Sequence, residues 1–112
     1  MSSDLPALPP GDPRSLPRRR AVLARNHDRS RPHHLAVRIY DEDGHAVFEA
    51  GFDLDAEDAD AVMDVLDGGR YVVEADCDAE NYVITTCELD DHTDLLIAVG
   101  NGVVDVSSHP AG

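Results

Sequence analysis

Apolar and polar residues alternate in two neighbouring stretches of the chain, residues 35–40 and 46–54. Alternation with a period of two predicts β-strands that bury one face. An acidic turn, with a two-residue loop at Asp43-Gly44 or a four-residue loop over residues 41–44, would join the stretches into a hairpin. Both loop lengths give the same register, which points both phenylalanines into the core. The predicted pairs are Ile39 with Phe48, Val37 with Ala50 and Leu35 with Phe52.

Residues 94–108 predict a second hairpin. The dipeptide Asn101-Gly102 accepts positive φ at both central positions of a two-residue turn, and aliphatic runs flank it on both sides. This turn places Val99 opposite Val104 and Ile97 opposite Val106. Cross-strand partners share a face, so these four side chains should be buried while Asp105 points to solvent.

Two further runs, residues 71–76 and 82–89, are rich in β-formers and are separated by a turn over residues 77–81. The buried face of the second run stays open at this stage, because Val83, Cys87 and Leu89 compete with Tyr82 and Ile84. If residues 78–81 form the turn, Cys77 lies opposite Tyr82 and Cys87 lies opposite Val72. The two sulfurs then do not meet, and we expect two free, buried thiols.

The segment 55–67 is compatible with two structures. Asp55 could cap a helix over residues 56–67, with an apolar stripe and Gly68 at its end. The alternative is an acidic connection over residues 55–60 followed by a strand over residues 61–66, and the spacing favours the helix only slightly. The proposed stripe contains Ala59, Val62, Met63 and Leu66.

These elements predict a mainly β protein, a small antiparallel β-sandwich of six or seven strands over residues 35–108, followed by a short tail over residues 109–112. Residues 1–34 differ in composition. They contain six prolines and seven arginines, and their longest apolar run is Ala21–Ala24. We therefore expect an extended, largely irregular N-terminal arm over residues 1–34.

Charge is divided unevenly along the chain. Residues 1–34 hold seven arginines against three acids, a net charge of +4, whereas residues 35–112 hold two arginines against twenty acids, a net charge of −18. The chain contains no lysine. An acidic, lysine-free composition is typical of proteins that stay soluble in concentrated salt. This indicates an origin in a salt-accumulating halophile.

Two motifs carry a resemblance to a known family. Residues 37–44, VRIYDEDG, and residues 66–75, LDGGRYVVEA, are similar to the first hairpin and to the G-x-Y-x-V strand of immunoglobulin-like and transthyretin-like modules of the carboxypeptidase-regulatory kind. Small immunoglobulin-like proteins of haloarchaea belong to this group, and the resemblance covers about residues 36–107. It implies a β-sandwich that adheres, braces or mediates assembly, without catalytic residues.

Candidate chemistry is sparse. Asp53-x-Asp55-x-Glu57 and Asp76-x-Asp78-x-Glu80 resemble the opening of calcium loops but lack the glycine and the final glutamate. The six histidines and two cysteines show no zinc-ligand spacing. No phosphate-binding loop or nucleophile motif is present in the sequence. We therefore expect no enzyme, no metal site and no cofactor.

The acidic body and the basic arm suggest a function. We expect a structural or assembly protein whose arm docks onto an acidic neighbouring subunit of a surface layer, filament or virion, as a homo- or hetero-oligomer. The alternative is a monomeric module that binds a ligand or a cation, with a disordered arm. The expected partner-binding residues are Arg14, Arg18, Arg19, Arg20, Arg25, Arg29 and Arg31.

Other locations and partners are less favoured by the sequence. The basic triplet at residues 18–20 lacks the apolar region that an export signal needs, and no stretch is long enough to span a membrane. We do not expect nucleic acid as a partner, because the body is strongly acidic and high salt weakens phosphate contacts. The sequence fits both the cytoplasm of a salt-accumulating cell and a virion or surface assembly.

Overall fold

The segments with alternating apolar and polar residues form strands. Two further strands lie near the N-terminus and in the middle of the chain. The computed structural model of the protein describes residues 19–90 and 92–110, and within these ranges it has eight strands and no helix. The strands are β1 (Arg20–Asn26), β2 (His33–Tyr40), β3 (Ala46–Leu54), β4 (Ala59–Leu66), β5 (Gly69–Cys77), β6 (Asn81–Leu89), β7 (Thr93–Gly100) and β8 (Val103–Pro110).

Two four-stranded sheets pack face to face as a sandwich. One sheet has the order β4-β1-β7-β8 and the other has the order β3-β2-β5-β6. Their inward-facing side chains form one core, in which the largest fully buried apolar side chains include Leu35, Ile39, Leu66 and Ile97. The predicted β-sandwich is thereby confirmed, with eight strands in the described residues instead of six or seven.

Both predicted hairpin registers are present. Ile39 pairs with Phe48 and Leu35 with Phe52 between β2 and β3, and Ile97 pairs with Val106 between β7 and β8. The β2–β3 loop is nevertheless longer than predicted, spanning residues 41–45. A β-bulge beyond Ile39 absorbs the odd residue and keeps the phenylalanines on the core side.

The Asn101-Gly102 turn has the backbone conformation that its sequence requires. Asn101 has φ 55° and Gly102 has φ 78°, as expected for a two-residue hairpin turn with both central residues in the left-handed region. Val104 is half-buried and packs against the core, whereas Asp105 is exposed. The predicted facing of the second hairpin is confirmed.

The β5–β6 turn is one residue shorter than predicted. Cys77 pairs with Asn81 and Cys87 with Tyr71, so the turn comprises residues 78–80. The buried face of β6 carries Cys87 and Leu89. Both cysteines are free and buried, as the sequence predicted.

The helix that the sequence slightly favoured over residues 56–67 is wrong, and the alternative strand is present as β4. Its apolar spacing matches a helix by coincidence, because Ala59 and Met63 are exposed while Val62 and Leu66 face the sandwich. A strand forms here because β1 pairs with residues 59–62 and 66, with a register shift between the two parts. Tertiary pairing outweighs the local spacing.

The sandwich starts at Arg20, well inside the predicted arm. β1 pairs with β4 on one side and, in parallel orientation, with β7 on the other, so it occupies an inner position of its sheet. The middle of β1 is the apolar run Ala21–Ala24, in which Val22 and Ala24 are fully buried. A body that began at residue 35 would lack a central strand. The predicted tail is also shorter, because β8 continues to Pro110.

Four connections meet at one end of the sandwich, which we call the loop end: the β1–β2 loop (residues 27–32), the β3–β4 connection (55–58), the β5–β6 turn (78–80) and the β7–β8 turn (101–102). Backbone hydrogen bonds link them, such as those from His27 N to Val99 O and from Glu57 N to Asp28 O. Gly100, the last residue of β7, approaches the β1–β2 loop so closely that a Cβ added to it would lie 2.8 Å from the backbone nitrogen of Asp28. The loop end is therefore tightly packed.

Deleting residues 1–26 should abolish cooperative folding, because β4 would lose its partner strand, β7 would keep only β8, and the core would lose Val22 and Ala24. Thermal unfolding followed by circular dichroism in molar salt measures this. Deletion of residues 1–18 is the matched control and should keep the melting temperature within a few degrees. A normal melting transition for the longer deletion would contradict the central role of β1.

Val104→Asp should lower the free energy of unfolding by at least about 2 kcal/mol, because a carboxylate without a partner would enter the half-buried face of β8. Asp105→Asn, one residue further along on the exposed face, should change it by less than about 0.5 kcal/mol. Urea titration of the two variants compares them directly. Equal effects at both positions would refute the observed facing of β8.

Candidate functional site

The seven arginines expected to bind a partner do not form one group. Arg14 and Arg18 lie outside the described residues. Arg20 is only 1% exposed, so a neighbouring molecule cannot reach it. Arg19 lies at the surface, where its Nε is 3.3 Å from Asp67 Oδ1. A surface pair of this kind contributes little to stability, and it leaves Arg19 partly occupied.

The remaining three, Arg25, Arg29 and Arg31, are exposed on β1 and on the β1–β2 loop. Among the residues that the structure describes, none of the three guanidinium groups forms an ion pair with a carboxylate. Arg38, by contrast, places its Nε 2.6 Å from Glu49 Oε2. The loop end therefore presents exposed guanidinium groups, and acidic residues of the connections over residues 55–58 and 78–80 lie at the same end.

Asn26 holds this loop in place. It is buried at the end of β1, and its side-chain amide donates to the carbonyl oxygens of Arg31 at 2.8 Å and Asp55 at 3.0 Å. Its Oδ1 accepts a hydrogen bond from the Asp28 backbone nitrogen at 2.9 Å. Because one buried amide bridges the β1–β2 loop and the β3–β4 connection, the backbone that carries Arg29 and Arg31 is fixed.

A shallow trough lies on the outer face of the β3-β2-β5-β6 sheet, with a volume of about 370 Å³. Cross-strand pairing places Gly51, Ala36, Asp76 and Tyr82 in one row across the four strands. The two small residues form the floor of the trough. The neighbouring row carries Glu49, Arg38 and Glu74, so the walls are predominantly acidic.

The acidic wall is an ordered network. Glu74 accepts hydrogen bonds from the phenols of Tyr40 at 2.8 Å and Tyr82 at 2.5 Å. The bond from Tyr82 is the larger cause of a lowered pKa for Glu74, with Tyr40 the second, and the same bond raises the pKa of Tyr82. Arg38 lies between Glu49 and Glu74. Hydrogen bonds thus fix these side chains before any ligand binds.

Asp76 differs from its acidic neighbours. Its Oδ1 is buried and has no hydrogen-bond partner among the residues that the structure describes, although the side chain lines the trough. Exposed apolar side chains border it along the edge strand β6, where Tyr82 is 59% and Ile84 57% exposed. An acidic trough with an aromatic and aliphatic rim suits a cationic group that has flat, apolar faces, such as a guanidinium.

A second polar cluster lies inside the loop end and is centred on His33. Its imidazole is 8% exposed, and its Nε2 and Nδ1 are each 2.5 Å from a carboxylate, Asp28 Oδ2 and Asp78 Oδ2. The hydrogen bond to Asp28, followed by that to Asp78, raises the pKa of His33. In turn, His33 lowers the pKa of both carboxyl groups. The backbone nitrogen of Asn101 adds a donor to Asp28 at 3.2 Å.

Cys77 lies beside this cluster, and His33, Cys77 and Asp78 together could offer nitrogen, sulfur and oxygen ligands to a metal ion. The distance between the His33 and Asp78 side chains suits a shared proton better than a zinc ion. Tetrahedral ligands about 2.0–2.1 Å from zinc lie roughly 3.3 Å from one another, whereas His33 Nδ1 and Asp78 Oδ2 are 2.5 Å apart. Burial raises the pKa of the Cys77 thiol to about 11. The cluster therefore serves as an ion triad that closes the loop end.

The two carboxylate patterns that resemble calcium loops are separated by the fold. Asp76 lies within β5, whereas Asp78 lies in the following turn and binds His33. Asp53 lies within β3, where its carboxylate is 2.7 Å from His34 Nδ1. Neither pattern folds into a loop that wraps around a cation.

Sequence reasoning missed both the trough and the His33 triad. The triad joins residues up to 50 positions apart, and no spacing motif indicates it. The trough had a weak signal. Once the hairpin registers are known, Ala36, Gly51 and Asp76 fall on the solvent side of neighbouring strands, but the pairing of β2 with β5 has to be known first.

The stability of the fold should depend on pH through the His33 triad. The pKa of His33 is raised above its ordinary value of 6.5, so its contribution is complete below pH 6.5 and is lost as pH rises through the folded-state pKa. The pKa values of Asp28 and Asp78 are lowered from 3.8, so their contribution is complete above that pH and is lost as pH falls. Urea unfolding from pH 3 to 9 should show a maximum between the two limits.

His33→Gln is the control for this profile, because it removes the titrating imidazole and retains a polar side chain. The variant should be less stable at pH 5 and should lose the decline on the alkaline side. The variant His45→Gln, which replaces an exposed histidine, should have the same pH profile as the unaltered protein. If the stability of His33→Gln declines equally at alkaline pH, another titrating group causes the decline.

Among the residues that the structure describes, no helix has both the length and the apolar character to cross a bilayer. No curated protein matches the chain. The family model of the halobacterial immunoglobulin-like domain matches residues 31–112, which include seven of the eight described strands and both sheets. The resemblance inferred from the two strand motifs is thereby confirmed. The chain belongs to the halobacterial immunoglobulin-like domain family.

Proposed function

We propose that the protein is a non-enzymatic assembly module that binds an acidic neighbouring subunit through Arg25, Arg29 and Arg31. The neighbour belongs to a larger assembly, such as a surface layer, a filament or a virion, and a second copy of the chain is the simplest candidate. Membership of the immunoglobulin-like family fits a structural or interaction module. Domains of this kind often mediate protein interactions and are generally not catalytic.

One observation carries the proposal. The chain has 23 acidic residues and nine basic ones, yet three exposed arginines make no ion pair with a carboxylate among the described residues. In so acidic a chain, exposed guanidinium groups could easily have been paired within the molecule. Leaving their planar donors free favours recognition of carboxylates on another molecule.

The position of these arginines supports the same function. Asn26 and the His33 triad hold the β1–β2 loop, so little backbone entropy is lost when Arg29 and Arg31 bind a partner. This differs from docking by a flexible arm, which would have to be ordered on binding. The proposed contact is between a preformed loop and an acidic surface.

The double variant Arg29→Gln/Arg31→Gln should lose self-association, because the amide side chains keep much of the length and polarity but lack the charge. Light scattering coupled to size-exclusion chromatography measures the mass against 12.1 kDa for one chain. We expect the unaltered protein to have a larger mass than the double variant in about 2 M potassium chloride, with the difference growing as the salt is lowered, since salt screens exposed charges.

Arg70→Gln is the matched control. Arg70 is also exposed but lies at the start of β5, at the opposite end of the sandwich from the loop end. Its replacement removes one positive charge and should leave the association unchanged. If Arg70→Gln weakens association as much as the loop variant does, net charge and not the loop is responsible, and the proposal fails.

A further inference from the structure

We infer that the trough on the outer face of the β3-β2-β5-β6 sheet is the acceptor site for the β1–β2 loop of a second copy of the chain, with an arginine of residues 29–31 seated beside Asp76. The inference rests on the proposed function and names the surface and the ligand chemistry that this function needs. The ligand is a guanidinium group presented on a rigid loop.

Asp76 supplies the chemical reason. A buried carboxylate oxygen without a hydrogen-bond partner is costly, and Asp76 Oδ1 is such an atom. Rotation about the terminal side-chain torsion, which has a broad energy minimum, turns this oxygen toward the trough. An incoming guanidinium offers parallel N–H donors to both carboxylate oxygens and satisfies the unpaired one.

The other acidic groups of the trough are already engaged. Glu74 accepts from two tyrosines, and Glu49 pairs with Arg38. These contacts keep the walls fixed and negative, and among the described residues that line the trough they leave Asp76 as the carboxylate with unused hydrogen-bonding capacity. The trough is therefore organised around one acceptor group.

The shape of the trough fits a long, flat side chain. Ala36 is the small residue next to Asp76, and the His34 imidazole borders the floor at Gly51. The exposed Tyr82 ring stands at the rim on the far side of Asp76. A guanidinium that pairs with Asp76 can therefore stack on the Tyr82 ring as a cation–π contact. The exposed Ile84 on the same strand covers the aliphatic part of the incoming side chain.

The two surfaces lie on different parts of the molecule, one at the loop end and one on a sheet face. Their contact is therefore heterologous, so each copy uses its loop on one neighbour and its trough on another. Association by such a contact continues into a ring or a chain of subunits. This property makes a complementation experiment possible with the full-length protein.

The test uses two variants, each with one surface removed. The loop variant is Arg29→Gln/Arg31→Gln, and the trough variant is Ala36→Arg/Asp76→Asn, in which an internal guanidinium fills the trough and the carboxylate is lost. Each variant alone should be monomeric. Its dissociation constant for self-association should rise at least ~10-fold, which corresponds to the loss of one charge-assisted hydrogen bond. An equimolar mixture should form a dimer of about twice 12.1 kDa and no larger species.

The result is read by light scattering, with circular dichroism to verify that both variants are folded. In the mixture, the amide resonances of Gly51 and Asp76 of the loop variant should shift, because that partner contributes the intact trough. Asp105→Asn, the same chemical change on the exposed face of β8, should associate like the unaltered protein. It controls for the loss of one negative charge.

Three outcomes would overturn the inference. If the trough variant associates normally while the loop variant does not, the proposed function stands and the acceptor surface is elsewhere. If both variants are monomeric and the mixture is too, the two surfaces are not partners. If the unaltered protein is monomeric at all salt concentrations, a second copy of the chain is not the neighbour and the inference fails.

Discussion

The fold depends on the insertion of β1 between β4 and β7. This strand satisfies backbone hydrogen bonds on both of its sides, and its inward residues close one wall of the core. Without it, two inner strand edges would be left without partners, which is costly inside a sandwich. The family match begins only at residue 31, so a strand outside the matched segment completes the sheet.

The position of β1 also explains how the charge is distributed. The basic N-terminal third contributes a buried arginine, an exposed strand arginine and an arginine-bearing loop to the same sandwich. Acidic groups cover much of the remaining surface and keep it hydrated in salt. Acidic residues also lie at the loop end, in the connections over residues 55–58 and 78–80, so both signs of charge occur beside the arginine-bearing loop.

The local elements could be predicted from the sequence, whereas the long-range pairings could not. Alternation and the Asn101-Gly102 turn were sufficient for two hairpins, because each register is set within about 20 residues. β1 was assigned to an irregular arm because its short apolar run stands among arginines, and its parallel partner β7 is about 70 residues away. β4 resembled a helix because Ala59, Val62, Met63 and Leu66 repeat at helical spacing, and only its pairing with β1 selects a strand.

The same distinction applies to the candidate site. The arginines were recognised by residue type, but their separate roles depend on contacts that composition does not contain: Arg20 is buried, Arg19 lies against Asp67, and Arg29 and Arg31 are exposed on a held loop. The His33 triad and the Asp76 trough arise where strands distant in sequence become neighbours. Their chemistry becomes visible only when the sheet order is known.

The two buried thiols allow local opening of the sandwich to be measured at two places. Cys77 ends β5 next to the His33 triad, whereas Cys87 lies opposite Tyr71, toward the other end of the same sheet. Burial raises the pKa of both thiols, so a thiol-specific reagent reacts only when the surrounding structure opens. The labelling rates at the two cysteines therefore report the opening free energy of each end separately, with no introduced probe.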